Sequence, residues 1–460
     1  MAPKFGTSGL RGLVTELTHD LVTDHIRAFI RVCPMGSGLW VGRDLRASSP
    51  DLAEAVLAAA RDMGVVTFDC GAVPTPALAL ASMAAGGAAV MITGSHIPAD
   101  RNGLKFYRPK GEITKTDEVA ILAALGGTAP KSGPETRTYA SAGPDWVARY
   151  VNAFGPRALT GLRLGVWSHS AVSRDLLLAC LTAMGAAVME LGRSDSFIPI
   201  DTEAIAADAR AQLAAWAVEH KLDAILSTDG DGDRPLLTDA AGRVIPGDVL
   251  GQITSAVLGA DVVVTPVNSN TGVEVSARFE RVIRTRIGSP FVIAGMETAG
   301  ENARVVGYEA NGGFLLGFAG QEPAGALAPL ATRDSLLPML APLSRAKAAG
   351  GLAALVAREP PRFTAADRLE NIATERSHAL LAAFEADPSR LAAFPAVLGE
   401  KIIGIDRTDG MRLVLASDRV LHMRPSGNAP EFRLYAEAES PEDASRLLKR
   451  GLSELRRLLG

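Results

Sequence analysis

The chain has 460 residues, a length that accommodates roughly three or four domains of ordinary size. Nearly half of the residues are hydrophobic (47%) and few are aromatic (5%), as in a soluble globular protein. The formal net charge is −4 and no basic tract reaches five residues, so we expect no nucleic-acid partner.

The sequence also argues against secretion and membrane insertion. The N-terminal segment MAPKFGTSGLRG lacks the apolar core of a signal peptide. The uncharged stretch 77–93 falls short of the roughly 20 apolar residues that cross a membrane, and it predicts a core helix followed by a buried strand. Cys33, Cys70 and Cys180 are odd in number and far apart, which fits reduced thiols better than disulfides. We therefore expect a cytoplasmic protein without a membrane partner; the sequence does not indicate the oligomeric state.

Three segments share one order of predicted elements, and they cover 38–71, 162–192 and 260–288. In each, an apolar strand runs into small polar residues that can cap a helix, a helix with 3.6-residue periodicity follows, and a second strand ends the segment. Such strand–helix–strand units imply parallel pairing with right-handed crossovers. The pattern predicts three similar α/β domains.

The C-terminal segment has a different pattern. Two prolines in REPPRFT (358–364) break the chain, and a polar helix and three strand-like regions are predicted after them. These regions are KIIGIDR with MRLVLAS, then VLHMRPS, then EFRLYAEA, and the amphipathic helix PEDASRLLKRGLSELRRLLG closes the chain. This order predicts a small α+β domain from about residue 362 onward.

The strongest chemical signal is the stretch LDAILSTDGDGDRPLL, in which an apolar strand leads to Asp229, Asp231 and Asp233. Carboxylates at every second residue, on a glycine-rich backbone that can fold tightly, suit a hard divalent cation. A hairpin turn is the alternative without chemistry, but three alternating aspartates would repel one another in the absence of a cation.

Two other aspartate-based sites fit this stretch less well. An EF-hand loop would need Gly at the position of Arg234 and Glu at the position of Ala240. A haloacid-dehalogenase-type phosphatase also places Asp-x-Asp after a strand, but normally at the start of the fold. A convincing second acidic pair does not follow in this sequence.

The stretch TGSHIPADRNGLKF places Ser95 and His96 after a predicted buried strand, with Lys105 further along. A turn needs its Asn, Asp, Gly and Pro residues, but not the serine, the histidine or the lysine. The G-x-S-x-G elbow of a hydrolase nucleophile is missing. A serine near a divalent cation is suited to carrying a phosphoryl group whose charge the metal and Lys105 offset. A loop serine with a packed His96 remains the alternative.

Two further loops carry polar groups that could bind a substrate. The loop in RPSGNAPEFRLY either offers a concave set of phosphate donors or is a hairpin turn without a ligand. The loop in GYEANGGFLLG places Glu309 and Asn311 on a glycine-rich backbone, where they could bind hydroxyl groups. The donors of the first loop are Arg424, Ser426, the backbone of Gly427 and Asn428, and Arg433.

Together with KFGTSGLRG near the N-terminus, these motifs occur in the order and at the separations of the α-D-phosphohexomutase family, which the sequence resembles over essentially its whole length. The resemblance implies four domains around a central cleft, with the first three alike, in agreement with the three repeats. We therefore predict an α/β fold with three similar mixed-sheet domains and a smaller α+β C-terminal domain. The predicted boundaries are 1–143 with the phosphoserine loop, 144–240 with the metal loop, 241–361 with the sugar-binding loop and 362–460 with the phosphate-binding loop.

The resemblance also implies a role for each motif residue. Ser95 would be the phosphoserine and would hold Mg²⁺ together with Asp229, Asp231 and Asp233. The catalytic residues would be Ser95, His96, Lys105 and Arg11, with Arg11 near the phosphoserine and Lys105 and Arg234 stabilising the transferred charge. The substrate-binding residues would be Arg234, Glu309, Asn311, Arg424, Ser426, Gly427, Asn428 and Arg433.

The sequence departs from the family pattern at several motif positions. The chemical groups remain, so the departures affect the assignment of the sugar more than that of the reaction. The replacements, with the usual residue in parentheses, are Gly94 (Ala), Ile97 (Asn), Arg286 (Lys), Ser289 (His), Asn311 (Ser), Gly313 (His), Asn428 (Thr) and Ala429 (Glu).

By resemblance, we expect a phosphohexose mutase, an intramolecular phosphotransferase that uses a phosphoserine and a hexose 1,6-bisphosphate to exchange phosphate between the 1- and 6-positions of a hexose. Mannose phosphate is the favoured substrate, because the short EANGG loop does not match the patterns for glucose or glucosamine. Phosphoglucomutase and phosphoglucosamine mutase activities remain alternatives. Two alternatives belong to other classes: a Mg²⁺-dependent sugar phosphatase with an aspartate nucleophile in 229–233, and a non-catalytic phosphosugar-binding protein.

Overall fold

The computed structural model describes residues 3–6, 9–128, 133–426 and 430–459. Within these ranges the strands form four main sheets of eight, four, five and five strands, and a two-stranded sheet is inserted in the third. Parallel and antiparallel pairs occur together in the first three sheets, and helices lie between the strands. The predicted α/β fold with mixed sheets is confirmed.

The N-terminal part of the chain forms the eight-stranded sheet. Its elements are β1 (Lys4–Phe5), β2 (Leu10–Leu13), α1 (His19–Val32), β3 (Leu39–Arg43), α2 (Ser49–Asp62), β4 (Thr67–Ala72), α3 (Thr75–Ala84), β5 (Ala88–Ile92), β6 (Arg101–Arg108), β7 (Gly111–Glu112), α4 (Lys115–Ala123) and β8 (Arg137–Thr138). The strand order is β1-β2-β6-β5-β3-β4-β8, with β7 paired to β6. The predicted core helix and buried strand at 77–93 are α3 and β5, and β5 is buried along its whole length.

The second and third sheets follow in chain order. The second has the order β10-β9-β11-β12 and the third has the order β14-β13-β15-β16-β19. The elements are α5 (Ala142–Phe154), β9 (Arg163–His169), α6 (Arg174–Ala183), β10 (Ala187–Arg193), α7 (Ala207–Glu219), β11 (Ala224–Thr228), β12 (Pro235–Leu237), α8 (Gly247–Val257), β13 (Val262–Pro266), α9 (Gly272–Val275), β14 (Arg281–Thr285), α10 (Ser289–Glu297), β15 (Val305–Tyr308), β16 (Phe314–Leu316), β17 (Gly320–Glu322), β18 (Gly325–Leu327), β19 (Leu330–Asp334), α11 (Leu337–Ala349) and α12 (Leu352–Val356).

The three repeated segments have the predicted order of elements. They are β3-α2-β4, β9-α6-β10 and β13-α9-β14, and in each the two strands pair in parallel. The third copy is shorter, because α9 has only four residues.

The C-terminal part is the predicted smaller α+β domain, but its first segment differs from the prediction. Where a single polar helix was expected, the structure has a strand followed by two helices. All eight residues of this strand pair with a partner strand from Phe363↔Ala438 to Glu370↔Glu431, so tertiary pairing overrides the local helical composition. The elements are β20 (Phe363–Glu370), α13 (Thr374–Ala386), α14 (Pro388–Ala396), β21 (Ile402–Asp406), β22 (Met411–Leu415), β23 (Val420–Pro425), β24 (Glu431–Ala438) and α15 (Pro441–Leu459).

The hydrophobic cores show how these parts are joined. One buried cluster extends from Trp40 on β3 of the first sheet through Trp146 to Tyr308 and Leu340, so the first three sheets share a continuous core. The C-terminal sheet has a separate core in which the apolar face of α15 packs on residues such as Phe432. The C-terminal sheet is tied to the third sheet by polar contacts, for example from Thr271 N to Glu437 Oε2 at 3.1 Å.

Two further features concern disulfides and membrane-spanning helices. Cys33, Cys70 and Cys180 are buried and form no disulfide. Among the described helices, none combines the length and the apolar character that a membrane crossing demands.

Candidate active site

The metal loop is the turn 229–233 between β11 and β12. Its three aspartates are completely buried, and one oxygen of each lies within 4.8 Å of the others. Thr75 donates to Asp231 twice, from N to the carbonyl oxygen at 2.9 Å and from Oγ1 to Oδ2 at 2.6 Å. Gly232 has a φ of 76°, which favours glycine, and its carbonyl accepts from Ser335 Oγ at 2.7 Å. The first and third sheets therefore hold a loop that the second sheet supplies.

Ser95 lies in the turn that follows β5. Its Oγ donates to Asp229 Oδ2 at 2.6 Å, and the residue is only 1% exposed. Its φ of 55° is left-handed, a conformation that strains a residue with a side chain. Its N–H donates to Thr93 Oγ1 at 2.7 Å. The structure thus places the serine of the motif directly against the metal loop.

Lys105, on β6, lies near the C-terminal end of the motif that contains Ser95, and it contacts two carboxylates of the metal loop. Its Nζ lies 2.5 Å from Asp231 Oδ2 and 2.6 Å from Asp233 Oδ2. Burial opposes the charge of Lys105, but the two carboxylates outweigh it and raise the lysine pKa. Burial likewise favours protonation of Asp231, but Lys105 outweighs it and the pKa of Asp231 is lowered. Lys105 and Asp231 are therefore both charged.

The remaining carboxylate oxygens are the part of the site that suits a metal ion. Asp231 Oδ1 and Asp233 Oδ1 are buried without a hydrogen-bond partner among the described residues. Burial, and then the charges of Asp231 and Asp233, raise the pKa of Asp229. Carboxylate oxygens that are buried, close together and unpaired form the donor set that a hard divalent cation stabilises. The residues present therefore fit Mg²⁺ or a similar ion.

Two arginines and His96 complete the charged cluster. Arg234 donates from Nη1 to His96 Nδ1 at 2.9 Å and from its backbone N to Asp229 Oδ1 at 3.2 Å. The charge of Arg234, followed by burial, lowers the pKa of His96, so the imidazole is neutral with Nδ1 as the acceptor. Arg11 on β2 pairs with Gly103 on β6, the strand that carries Lys105, and burial followed by the charge of Arg234 lowers its pKa to about 10.

The sugar loop is the turn 309–313 between β15 and β16. Glu309 and Asn311 are buried in it, and Asn311 Oδ1 accepts from Gly313 N at 3.0 Å. Arg333, on β19, donates from Nη1 to Glu309 Oε2 at 3.1 Å, and its Nη2 lies 2.7 Å from Asp233 Oδ2. A residue that no sequence motif marks therefore joins the sugar loop to the metal loop.

The motif arginines of the C-terminal domain lie side by side. Arg424 on β23 and Arg433 on β24 are directly paired in the sheet. Arg424 Nε lies 2.9 Å from Asp409 Oδ2, and Arg433 Nη2 donates to Glu431 Oε2 at 3.3 Å. Ser426 is buried, and its N donates to Glu431 O at 2.9 Å. The other loop residues of the motif lie outside the described residues; they are Gly427, Asn428 and Ala429.

Glu203 lies between β10 and α7, in a segment that borders the site. Its side chain reaches solvent, but the surrounding protein disfavours its charge and, with Asp201, raises its pKa to about 7. Just before it in the chain, Asp201 Oδ1 lies 3.8 Å from Arg234 Nη1, and Thr202 Oγ1 donates to Asn311 O at 3.4 Å. The segment that carries Glu203 therefore contacts both the sugar loop and the arginine that follows the metal loop. The sequence contains no motif that could have identified it.

A second residue that no sequence motif marks, Arg46, lies next to the turn that carries Ser95. Arg46 is buried, and its guanidinium donates at 2.6–2.9 Å to four carbonyl oxygens of the serine turn. Its Nε lies 3.2 Å from Asp44 Oδ2, and that oxygen also accepts from Thr93 Oγ1 at 2.7 Å. The ring of Phe197 packs over the guanidinium at 4.0 Å. The available signal was an Asp and an Arg directly after a strand, in GRDLRASSP. The four acceptors are the carbonyls of Ser95, Ile97, Pro98 and Arg101.

Two of the glycines that depart from the family pattern make room for arginines. A Cβ at Gly94 would lie 2.7 Å from Arg46 Cζ, and a Cβ at Gly313 would lie 2.8 Å from Arg333 Cδ. The departures in TRIGSPF make interdomain contacts instead. These contacts are Ser289 Oγ to Glu112 Oε2 at 2.8 Å and Arg286 Nε to Thr408 O at 3.2 Å.

Comparisons with known proteins show the family to which the chain belongs. Sequence profiles for phosphoglucomutase/phosphomannomutase alpha/beta/alpha domain I, alpha/beta/alpha domain III and the C-terminal domain match 2–128, 248–363 and 378–451. The chain is 45% identical to a phosphomannomutase of Sinorhizobium fredii, with 99% of each chain covered. It is 41% identical to a phosphomannomutase of Salmonella muenchen, with 99% of this chain and 96% of the relative covered. The crystal structure of a phosphoglucomutase/phosphomannomutase family protein from Burkholderia thailandensis matches with a TM-score of 0.77 at 22% identity, covering 98% of this chain and 97% of that one.

The chain therefore belongs to the phosphoglucomutase/phosphomannomutase family, the α-D-phosphohexomutases. The resemblance inferred from the motifs is confirmed. The predicted enzyme class, an isomerase that transfers a phosphoryl group on a phosphohexose, is confirmed by the two full-length relatives. The phosphatase and binding-protein alternatives are less well supported, because the likeness to mutases extends over the whole chain.

Proposed function

We propose that the protein interconverts hexose 1-phosphate and hexose 6-phosphate, with mannose phosphate preferred, through phosphorylated Ser95 and a hexose 1,6-bisphosphate. The observation that carries this proposal is the 2.6 Å hydrogen bond from Ser95 Oγ to Asp229 Oδ2 in a buried carboxylate triad. A serine there can carry a phosphoryl group next to a divalent cation. The choice of mannose is supported by the phosphomannomutases at 45% and 41% identity.

The metal loop supplies the charge that this reaction needs. Asp229, Asp231 and Asp233, with an oxygen on Ser95, would hold Mg²⁺, which when bound neutralises charge on the phosphoryl group. Lys105 contacts two of the carboxylates, and the Arg234 guanidinium contacts His96 next to the serine, so both add positive charge beside Ser95. Phosphoryl transfer needs little covalent assistance, and positioning with charge neutralisation supplies most of the catalysis.

The substrate would span the metal loop, the sugar loop and the strands that carry Arg424 and Arg433. Glu309 and Asn311 would bind sugar hydroxyl groups, and Arg424 and Arg433 would bind the phosphate that is not being transferred. After the first transfer, the hexose 1,6-bisphosphate would turn over, so that its other phosphate returns to the serine. The two ends of the site must therefore accept the same substrate in two orientations.

The four domains proposed from the sequence organise these loops. Each main sheet lies within one of the ranges 1–143, 144–240, 241–361 and 362–460. Family profiles match within or close to the first, third and fourth ranges, which supports the division. The cytoplasmic location stays a prediction.

The proposal is tested by turnover of mannose, glucose and glucosamine 1-phosphates, with the intact mass of the protein measured in parallel. We expect one phosphate on Ser95 and the highest kcat/KM for mannose 1-phosphate. Ser95→Ala should lose the phosphate and reduce kcat by several orders of magnitude, because the nucleophile is gone. Ser445→Ala, an exposed serine on α15, is the matched control and should change neither.

The rival functions give different results in the same assays. Release of inorganic phosphate that survives Ser95→Ala would favour a phosphatase with an aspartate nucleophile. Tight binding of phosphosugars without turnover by the wild-type protein would favour the non-catalytic alternative.

A further inference from the structure

Arg333 is a buried guanidinium between two carboxylates that belong to different loops. Nη1 donates to Glu309 Oε2 at 3.1 Å in the sugar loop, and Nη2 lies 2.7 Å from Asp233 Oδ2 in the metal loop. The side chain is only 5% exposed and both of its terminal nitrogens contact carboxylates, so little of it is available to a substrate. Its action on a substrate must therefore pass through the residues that it holds.

Gly313 is the position that admits this side chain. Within the sugar loop Gly312 has a φ of 86°, which favours glycine, whereas Gly313 does not lie in the left-handed region. The backbone at 313 would thus accept a side chain, but a Cβ there would lie 2.8 Å from Arg333 Cδ. Such a contact is far inside van der Waals distance, and Arg333 would have to move. A glycine at position 313 therefore leaves the space that the side chain of Arg333 occupies.

The two carboxylates depend on Arg333 to different degrees. Asp233 has a second cation, because Lys105 Nζ lies 2.6 Å from its Oδ2. In the described part of the chain, the ion-pair partner of Glu309 is Arg333. A buried carboxylate that loses its cation must protonate, turn away or draw in water. Loss of Arg333 therefore affects Glu309 more than Asp233.

We propose that Arg333 is a positioning residue for sugar recognition, which aims the Glu309 carboxylate at the substrate hydroxyls and fixes the sugar loop relative to the metal loop. The inference rests on the proposed function, in which Glu309 binds the sugar. Arg333 holds the two carboxylates with different nitrogens of its planar fork, Nη1 on Glu309 and Nη2 on Asp233, whereas a lysine offers one nitrogen in place of these two. Arg333→Lys is therefore expected to keep the charge but release Glu309.

The test is a double-mutant cycle between Arg333→Lys and Glu309→Gln, measured as kcat/KM for mannose 1-phosphate. Arg333→Lys alone should lower kcat/KM about tenfold or more, as expected for residues coupled through a direct contact. In the Glu309→Gln background the same change should cost less than about twofold, because the carboxylate that it positions is gone. Arg243→Lys, at an exposed arginine that pairs with the buried Asp239, is the matched control.

A steric variant tests the same inference without touching a charge. Gly313→Ala should lower kcat/KM in the wild-type background and change it little in an Arg333→Ala background, where the clash is relieved. Gly404→Ala is the control, because a Cβ at that strand glycine would meet Val414 at an ordinary 3.6 Å. If Arg333→Ala does not fold, the double-mutant cycle between Arg333→Lys and Glu309→Gln tests the inference by itself.

The intact mass and the thermal midpoint separate positioning from general damage. A positioning role predicts variants with a normal Ser95 phosphate, a normal melting temperature and a reduced kcat/KM. If Arg333→Lys lowers kcat/KM by the same factor in the wild-type and in the Glu309→Gln background, the inference is overturned. Turnover by the wild-type protein would then still support the proposed function. Absence of wild-type turnover on any hexose phosphate would overturn both.

Discussion

Arg46 Nη2 donates to the carbonyl oxygen of Ser95 at 2.9 Å, across 49 residues of sequence. The same guanidinium also holds the carbonyls of Ile97, Pro98 and Arg101, and it pairs with Asp44. A serine with a left-handed backbone persists only where the surroundings over-determine it. The geometry of the proposed nucleophile therefore depends on a buried arginine that never faces the substrate.

We expect Arg46→Lys to impair the chemical step. A lysine has three donors on one nitrogen and cannot serve four carbonyls and Asp44, so Ser95 should shift away from the metal loop. A displacement of that kind is expected to lower kcat about a hundredfold while KM changes little. The measurement is the rate of Ser95 phosphorylation by hexose 1,6-bisphosphate, followed by intact mass. Arg27→Lys, in a surface pair with Asp62, serves as the control, and an unaltered phosphorylation rate in Arg46→Lys would contradict the prediction.

Removal of the divalent cation should abolish turnover, and added Mg²⁺ should restore it. The three buried carboxylates, two of which keep an oxygen without a hydrogen bond, need that charge to bind a phosphorylated substrate. Asp231→Asn keeps the size of the ligand but removes its charge, so the Mg²⁺ concentration for half-maximal rate should rise about tenfold or more. Asp208→Asn, on the exposed start of α7, should leave the Mg²⁺ dependence unchanged. Full activity in excess chelator would show that the triad is not a required metal site.

Arg424→Ala should weaken substrate binding without removing the Ser95 phosphate. A charge-assisted bidentate contact to phosphate is worth about 2–3 kcal/mol, which corresponds to roughly a hundredfold loss in kcat/KM. Arg424 pairs with Asp409, which also accepts from Ile287 N at 3.0 Å, so the thermal midpoint must be checked beside the kinetics. Arg419→Ala, in a surface pair with Glu439 on the same sheet, is the control. A kcat/KM equal to that of the wild type would mean that the loop is only a hairpin turn.

Two buried histidines should make the protein less stable as the pH falls below 6.5. Burial, as the main cause, lowers the pKa of His169 and of His422 to about 4. The ring of His422 also donates from Nε2 to Asp409 O at 2.5 Å, which fits a neutral imidazole. An unfolded histidine takes up a proton near pH 6.5 whereas these stay neutral, so stability is present above pH 6.5 and is lost as the pH falls towards 4.

The size of this loss can be measured with urea. Each of these histidines contributes up to about 3 kcal/mol to the difference between pH 7 and pH 4. His422→Gln should therefore flatten the fall of the urea midpoint between pH 7 and pH 5. The exposed His19→Gln should leave the fall unchanged, and an unaltered slope in His422→Gln would contradict the assignment.

The local motifs were readable from the sequence because their chemistry lies in neighbouring residues. Alternating Asp and Gly after an apolar strand predicted the turn 229–233, and the strand–helix–strand order predicted the parallel pairs β3–β4 and β9–β10. The strand β20 was missed for the opposite reason. Its Ala, Arg, Leu and Glu residues favour a helix locally, and only the pairing with β24 makes it a strand.

The sequence by itself determined the fold class, the family and the set of motif residues, because each depends on local pattern and order along the chain. The tertiary structure alone decided which side chains hold those motifs in place. Arg46 acts on carbonyls about fifty residues away, and Arg333 joins Glu309 to Asp233 from a separate strand. Such contacts depend on how strands that are far apart in sequence pack together. The spacing of residues along the chain does not reveal which of these strands meet.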